Sequence, residues 1–106
     1  ENKWRSKWIE NKDFETDPCL QTGEGWIAEE AFATALLCFL LYPNNAVDCL
    51  RRAANTSGDS DSIACIAGAM SGAYLGIDAF PKDWIERIEY QETLEEMVTY
   101  FSKPIK

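Results

Sequence analysis

Three observations predict an all-α fold. Apolar residues recur three and four positions apart in successive stretches of the chain. No stretch alternates apolar and polar residues, as a half-buried strand would. The breaks between stretches fall at glycine, proline and asparagine, the residues that start and stop helices. With 106 residues, the length alone reads as one small domain rather than two. An apolar content of 46% excludes a disordered chain.

The elements follow in order. Residues 1–22 are polar with scattered aromatics. Trp4, Trp8 and Ile9 fit one helical face, and Asp17-Pro18 interrupts any continuation, so this segment reads as a short helix plus loop. Gly23-Glu24-Gly25 is a breaker. A helix from Trp26 to Leu41 follows, with Ile27, Ala31, Ala35, Leu36, Phe39 and Leu40 at helical spacing. Glu29 and Glu30 occupy its early turns, where the helix dipole favours negative charge, and Pro43 ends it. It is apolar on most sides and belongs at the centre of the fold.

Asn44 and Asn45 cap a second helix whose buried stripe reads as Val47, Leu50, Ala53 and Ala54, with Arg51 and Arg52 at the cation-favouring end. A third helix starts near Asp61 or Ser62 and runs to Leu75, with Gly76 as its stop. Its interior Gly68 and Gly72 each cost about 1 kcal/mol in a helix, which implies close backbone packing at both. Pro81 fits the first position of a fourth helix, Lys82 to about Tyr90, with Trp84, Ile85 and Ile88 facing inward. A last helix, about Glu92 to Ser102, carries Leu94, Met97, Val98 and Phe101 as its apolar stripe. Glu92, Glu95 and Glu96 read as a solvated face.

Charge and composition narrow the function. Ten basic and eighteen acidic residues give a net charge of −8, which argues against nucleic acid or an anionic membrane as partner. The longest uncharged stretch, Ile63 to Ile77, falls short of the ~20 residues a membrane span needs. Histidine is absent, so Ser/His and Cys/His nucleophile pairs and His metal sites are excluded. Cys19, Cys38, Cys49 and Cys65 include no CxxC pair. Cys38, Cys49 and Cys65 sit among apolar neighbours, which reads as buried free thiols in a reducing cytoplasm. The opening Glu1-Asn2-Lys3 has neither Met nor a secretory apolar region, which suits a piece of something longer.

The sharpest motif is Gly58-Asp59-Ser60-Asp61-Ser62. Asp59 and Asp61 lie two apart, so in a non-helical turn their oxygens converge, and Ser62 adds a third. Oxygen-only ligands suit hard cations such as Mg²⁺, Mn²⁺ or Ca²⁺. Asp and Ser are equally ordinary helix caps, and spacing alone gives the two readings even weight. A calcium EF-loop is disfavoured by Ile63 and Ala64, which stand where that loop needs an oxygen ligand and a glycine. An Asp-x-Asp phosphatase loop is disfavoured because a helix end, not a strand, comes before the motif.

This block, continued through Ile63–Ala69 and then Gly72-Ala73-Tyr74-Leu75-Gly76, resembles the C-terminal signature of the ADP-ribosylglycohydrolases. Gly23-Glu24-Gly25-Trp26, Ala35-Leu36, Pro81 and Trp84 fall in the family's order, so the likeness covers about Leu20 to Tyr90. The resemblance implies an all-α, orthogonally packed fold with two Mg²⁺ (or Mn²⁺) ions. It gives Asp59, Asp61 and Ser62 as the C-terminal metal ligands, with Asp59 and Asp61 as the catalytic carboxylates. It further implies Gly23, Glu24, Gly25 and Trp26 as an ADP-ribose-binding loop, in which Trp26 stacks on a ring; the alternative is that Trp26 simply opens the core helix. The implied reaction hydrolyses the bond between ADP-ribose and an acceptor in a modified protein or small molecule. Metals hold the ribose hydroxyls, and a carboxylate-bound water attacks the anomeric carbon.

Two departures shape the expectation. The family's upstream Thr-Asp-Asp motif is missing, since Thr16-Asp17-Pro18 differs in its third residue and its place. Family chains are also several-fold longer. Residues 23–106 are therefore expected to be the C-terminal portion of such a domain, with residues 1–22 as an N-terminal segment. They would carry half of a metal site and be inactive alone, needing the missing N-terminal part as partner. The rival readings are a non-catalytic relative that binds ADP-ribose and a helical piece that self-associates.

Overall fold

The computed structural model describes residues 16–103, and all regular structure among them is helical. Six α-helices follow one another: α1 (Cys19–Thr22), α2 (Ala28–Leu41), α3 (Ala46–Ala54), α4 (Ser60–Leu75), α5 (Lys82–Arg87) and α6 (Gln91–Phe101). A 3-10 turn, Ile77–Ala79, links α4 to α5. Among the described residues, no helix is long and apolar enough to cross a membrane. Trp4, Trp8 and Ile9 lie outside the described residues.

The core is the three-helix packing of α2, α3 and α4, with α1 against α2. From α2 come Ala35, Leu37, Cys38 and Leu41; from α3, Cys49 and Ala53; from α4, Ile63 and Ala67. Small side chains at 35, 49, 53 and 67 let the helices close on Leu37, Leu41 and Ile63, whose burial stabilises by roughly 1.5–3 kcal/mol each. At the edge of this core Phe39 meets Tyr74 edge to face, with ring centroids 5.8 Å apart. Asn45 caps α3 as expected: its side chain accepts from the Asp48 N–H at 3.1 Å. Gly76 closes α4 at φ 83°, and its N–H donates to the Gly72 carbonyl at 2.9 Å.

Several expectations shift. Trp26 and Ile27 precede α2 instead of opening it, and both are exposed. The buried face of α3 is Ala46, Cys49, Arg52 and Ala53, while Val47 and Leu50 are half-buried and Ala54 is exposed. The helix packs against both α2 and α4, and the side it buries there combines the small Ala46, Cys49 and Ala53 with Arg52. Cys65 is exposed, because α4 buries Ile63, Ala67 and Ser71 and position 65 faces away from that row.

Gly68 is closely packed, since a Cβ there would lie 3.2 Å from Leu50 Cδ2. Gly72 is not, because its added Cβ would meet only Phe80 at an ordinary 3.6 Å. Pro81 lies one position before the first residue of α5, and α5 ends at Arg87. Tyr90, in the left-handed region at φ 60°, turns the chain into α6. Neither α5 nor α6 buries a residue: Ile85 is half-buried, while Trp84, Ile88, Leu94, Met97, Val98 and Phe101 stay exposed. The inward face expected for these helices finds nothing in the described residues to cover it.

Candidate metal and ADP-ribose site

Two loops build the site. The first, Gly23 to Ile27, carries the chain from α1 into α2. Gly23 and Gly25 take φ 97° and 85°, conformations L side chains rarely adopt. Side chains of α2 hold this loop. The Glu30 carboxylate accepts from the Gly25 N–H at 3.3 Å, and the Thr34 hydroxyl donates to the Gly23 carbonyl at 3.2 Å. Gly25 is also crowded, since a Cβ there would lie 2.9 Å from Ile63 Cδ1. Trp26 is 68% exposed, and its indole N–H donates to the Glu24 carboxylate at 3.2 Å.

The second loop, Asn55 to Asp59, leads into α4. Its joint with the first is a main-chain contact: the Asp59 N–H donates to the Glu24 carbonyl at 2.7 Å. Gly58 permits this approach, because a Cβ there would lie 1.8 Å from that same carbonyl oxygen. A hydroxyl pair, Thr56 and Ser60 at 2.6 Å, closes the loop onto the first turn of α4. The loop's other support is Asp17. One carboxylate oxygen accepts from the Ser57 N–H at 2.9 Å, the other from the Cys19 N–H at 2.9 Å.

Asp59, Asp61 and Ser62 sit together at the start of α4. Asp59 occupies the cap position but makes no capping bond, and the Ser62 N–H is taken by Asp61 Oδ1 at 3.0 Å. The Asp59 carboxyl is held below the usual Asp value, first by hydrogen bonding with the Asp61 carboxyl and then by the Ser62 side chain. Among the described residues, no group of three or more His, Cys, Asp or Glu side chains is placed to hold a metal ion.

The structure thus brings together Gly23–Trp26 and Asp59–Ser62, which are far apart in sequence. Sequence reasoning missed the supports Asp17, Glu30 and Thr34, and it named Gly58 in the motif without its close approach to Glu24. Asp17-Pro18 was legible as a break in the chain. The same pair is a helix-start signature, and an Asp there offers oxygens to nearby N–H groups.

Fold and loops define an all-helical domain with an acidic, oxygen-rich helix entrance pinned to a glycine loop. The family model for ADP-ribosylglycohydrolase matches residues 3–105, and the chain belongs to that family. It is similar to human ADP-ribosylhydrolase ARH3, 38% identical over 84 residues, covering 69% of this chain and 23% of the relative. It also resembles the ADP-ribosylarginine hydrolase Tri1 of Pseudomonas putida, 33% identical over 54 residues, covering 51% of this chain and 15% of the relative. The ADP-ribosyl-[dinitrogen reductase] glycohydrolase of Rhodospirillum rubrum is 24% identical over 80 residues, covering 76% and 26%. The chain therefore spans about a quarter or less of these relatives' lengths. No solved structure matches it.

Proposed function

We propose that this chain forms the C-terminal part of a Mg²⁺-dependent hydrolase that removes ADP-ribose from a modified protein or small molecule. The observation that carries the reading is the main-chain joint between Glu24 and Asp59, which sets a glycine loop against an acidic helix entrance. Family membership supports the reaction class.

The donor chemistry fits Mg²⁺ or Mn²⁺. Asp59, Asp61 and Ser62 offer oxygen only, and the Asp59 carboxylate is free of the helix cap. When bound, the two ions supply the positive charge that holds and orients the ribose hydroxyls. Asp59 and Asp61 hold negative charge beside the anomeric carbon, where the oxocarbenium-like transition state is positive, and orient the attacking water. Trp26, exposed beside Gly23 and Gly25, offers a ring face to the ADP-ribose, and the glycines let the ligand approach the backbone.

Three oxygen side chains do not complete an octahedral shell, so the 106 residues alone are inactive and act with upstream residues of the same protein. The four free thiols support a reducing, cytoplasmic setting. The test is ADP-ribose release from arginine- and serine-linked substrates. No release is expected from this chain alone. In a longer polypeptide that joins it to the family's upstream acidic motif, Mg²⁺-dependent release is expected, and Asp59→Asn abolishes it. Release by the isolated chain overturns the inactivity, and full activity of Asp59→Asn overturns the site.

A further inference from the structure

The loop that delivers Asp59 is tied at its main-chain N–H groups to different parts of the fold. The Thr56 N–H donates to the Ser60 hydroxyl of α4 at 3.2 Å. The Ser57 N–H donates to the Asp17 carboxylate at 2.9 Å. The Asp59 N–H donates to the Glu24 carbonyl at 2.7 Å. The first tie is local, and the third joins backbone to backbone. The tie at Ser57 is made by a side chain forty positions away.

Asp17 stands on a firm base. Pro18 and Cys19, which follow it, are both buried. Its other carboxylate oxygen accepts from the Cys19 N–H at 2.9 Å, which fixes the direction of the carboxylate itself. The Cys19 side chain reaches the same loop, at the Thr56 side chain and the Gly58 main chain. Asp17 and Cys19 thus hold Thr56, Ser57 and Gly58 from one side. A carboxylate suits this place because it accepts with two oxygens at once.

Ser57 precedes Gly58, whose backbone has the widest conformational freedom in the loop, and lies two residues before Asp59. Asp59 occupies the cap position of α4 without a capping bond, so the aim of its carboxylate follows the course of the loop. Both Asp17 oxygens face main-chain N–H groups, so the part of Asp17 is to hold the loop and not to coordinate.

We infer that Asp17 is a positioning residue for the metal site: through the Ser57 N–H it holds the loop that aims Asp59, and so sets how tightly the site takes its cation. The inference rests on the proposed metal role of Asp59. Residues that orient a metal ligand are worth roughly 10–100-fold in metal affinity. A loop released at Ser57 must be ordered again when the cation binds, so the loss falls on affinity. Once the cation is bound the loop is set, and kcat is spared.

The test uses the longer polypeptide that joins this chain to the family's upstream acidic motif, with Mn²⁺ as the probe. Free Mn²⁺ read by electron paramagnetic resonance gives the dissociation constant, and ADP-ribose release at saturating Mn²⁺ gives kcat. Asp17→Asn keeps the shape and loses one acceptor, and should raise the dissociation constant about tenfold. Asp17→Ala loses both acceptors and should raise it further, with kcat at saturating Mn²⁺ retained in each variant. Leu41→Val, which loosens the core at the opposite end of α2, should lower the melting temperature and leave the constant as it is. In the 106-residue chain, amide exchange at Ser57 should quicken several-fold in both Asp17 variants, and unchanged exchange overturns the inference. Parental Mn²⁺ constants in both Asp17 variants also overturn it and leave the metal site standing. So does an equal rise in Leu41→Val, which makes the effect one of overall stability. A parent polypeptide that binds no Mn²⁺ overturns the metal reading and the inference with it.

Discussion

The main-chain N–H of Asp59 donates to the main-chain carbonyl of Glu24 at 2.7 Å, across thirty-five positions of sequence. This bond joins the glycine loop to the acidic entrance of α4. Its length depends on the missing side chain at position 58, because that residue lies in van der Waals contact with the same carbonyl.

Gly58→Ala is therefore expected to part the loops. The added methyl meets backbone, which cannot rotate away, so a cost of about 1–3 kcal/mol is expected. Gly72→Ala is the contrast: its methyl meets a Phe80 ring edge at 3.6 Å, and alanine outperforms glycine inside a helix by up to about 1 kcal/mol. Thermal unfolding followed by circular dichroism should show the first variant melting several degrees lower and the second unchanged or higher. A Gly58→Ala chain as stable as the parent refutes the joint.

Asp17 anchors the second loop from behind. Partial burial opposes its ionisation, yet the hydrogen bonds with Ser57 and Cys19 outweigh that and lower its pKa. A depressed folded-state pKa contributes stability above the unfolded value of 3.8, and that contribution is lost as pH falls through the folded value. Asp17→Asn should cost about 1 kcal/mol at pH 7 and flatten the acid limb of the stability curve below that value. Urea midpoints measured from pH 7 down to pH 2 decide it; parallel curves for the two proteins count against the role.

Trp26 separates binding from stability. Being mostly exposed, it should tolerate Trp26→Ala within about 0.5 kcal/mol by urea unfolding. In an active protein carrying the whole ligand set, the same variant should weaken ADP-ribose binding while Mn²⁺ binding survives. Calorimetric titration measures both, and unchanged nucleotide affinity removes Trp26 from the site.

The thiols divide by depth. Cys65 is exposed while Cys19, Cys38 and Cys49 are buried, so an aromatic disulfide reagent should modify Cys65 first and the others only as the protein opens. Burial pushes the Cys38 thiol up from 9.0 to about 12, with nearby Cys49 adding to it. The unfolded thiol ionises first, so stability is intact below pH 9.0 and declines as pH rises toward about 12. The loss attributable to this thiol is at most about 4 kcal/mol. Stability of Cys38→Ala should fall less steeply over that window, and an unaltered alkaline slope rejects the assignment.

Much of this structure was legible in the sequence. Apolar residues at helical spacing marked α2, and Asn45 and Gly76 marked boundaries the chain obeys. What was not legible depended on neighbours. Arg52 takes the buried side of α3 because of the helices beside it, and no periodicity announces that choice over Val47 and Leu50. The stripe on α6 was correct as a pattern, but a pattern does not say whether the described residues hold a surface to meet it. At the site, Asp59, Asp61 and Ser62 were visible as a motif. The contact between Glu24 and Gly58 was not, because it is made by backbone atoms every sequence shares.

That last contact has an implication for how this region can vary. Glu24 joins the loops through its carbonyl alone, so any residue that accepts the same backbone path keeps the joint. The side chain at position 24 is thereby released from architectural duty. It can be exchanged to suit a different ligand edge while the acidic entrance stays where it is. Position 58 has no such liberty. Two residues in one contact thus face opposite tolerances, and a saturation library over both should return a broad spectrum at one and glycine at the other.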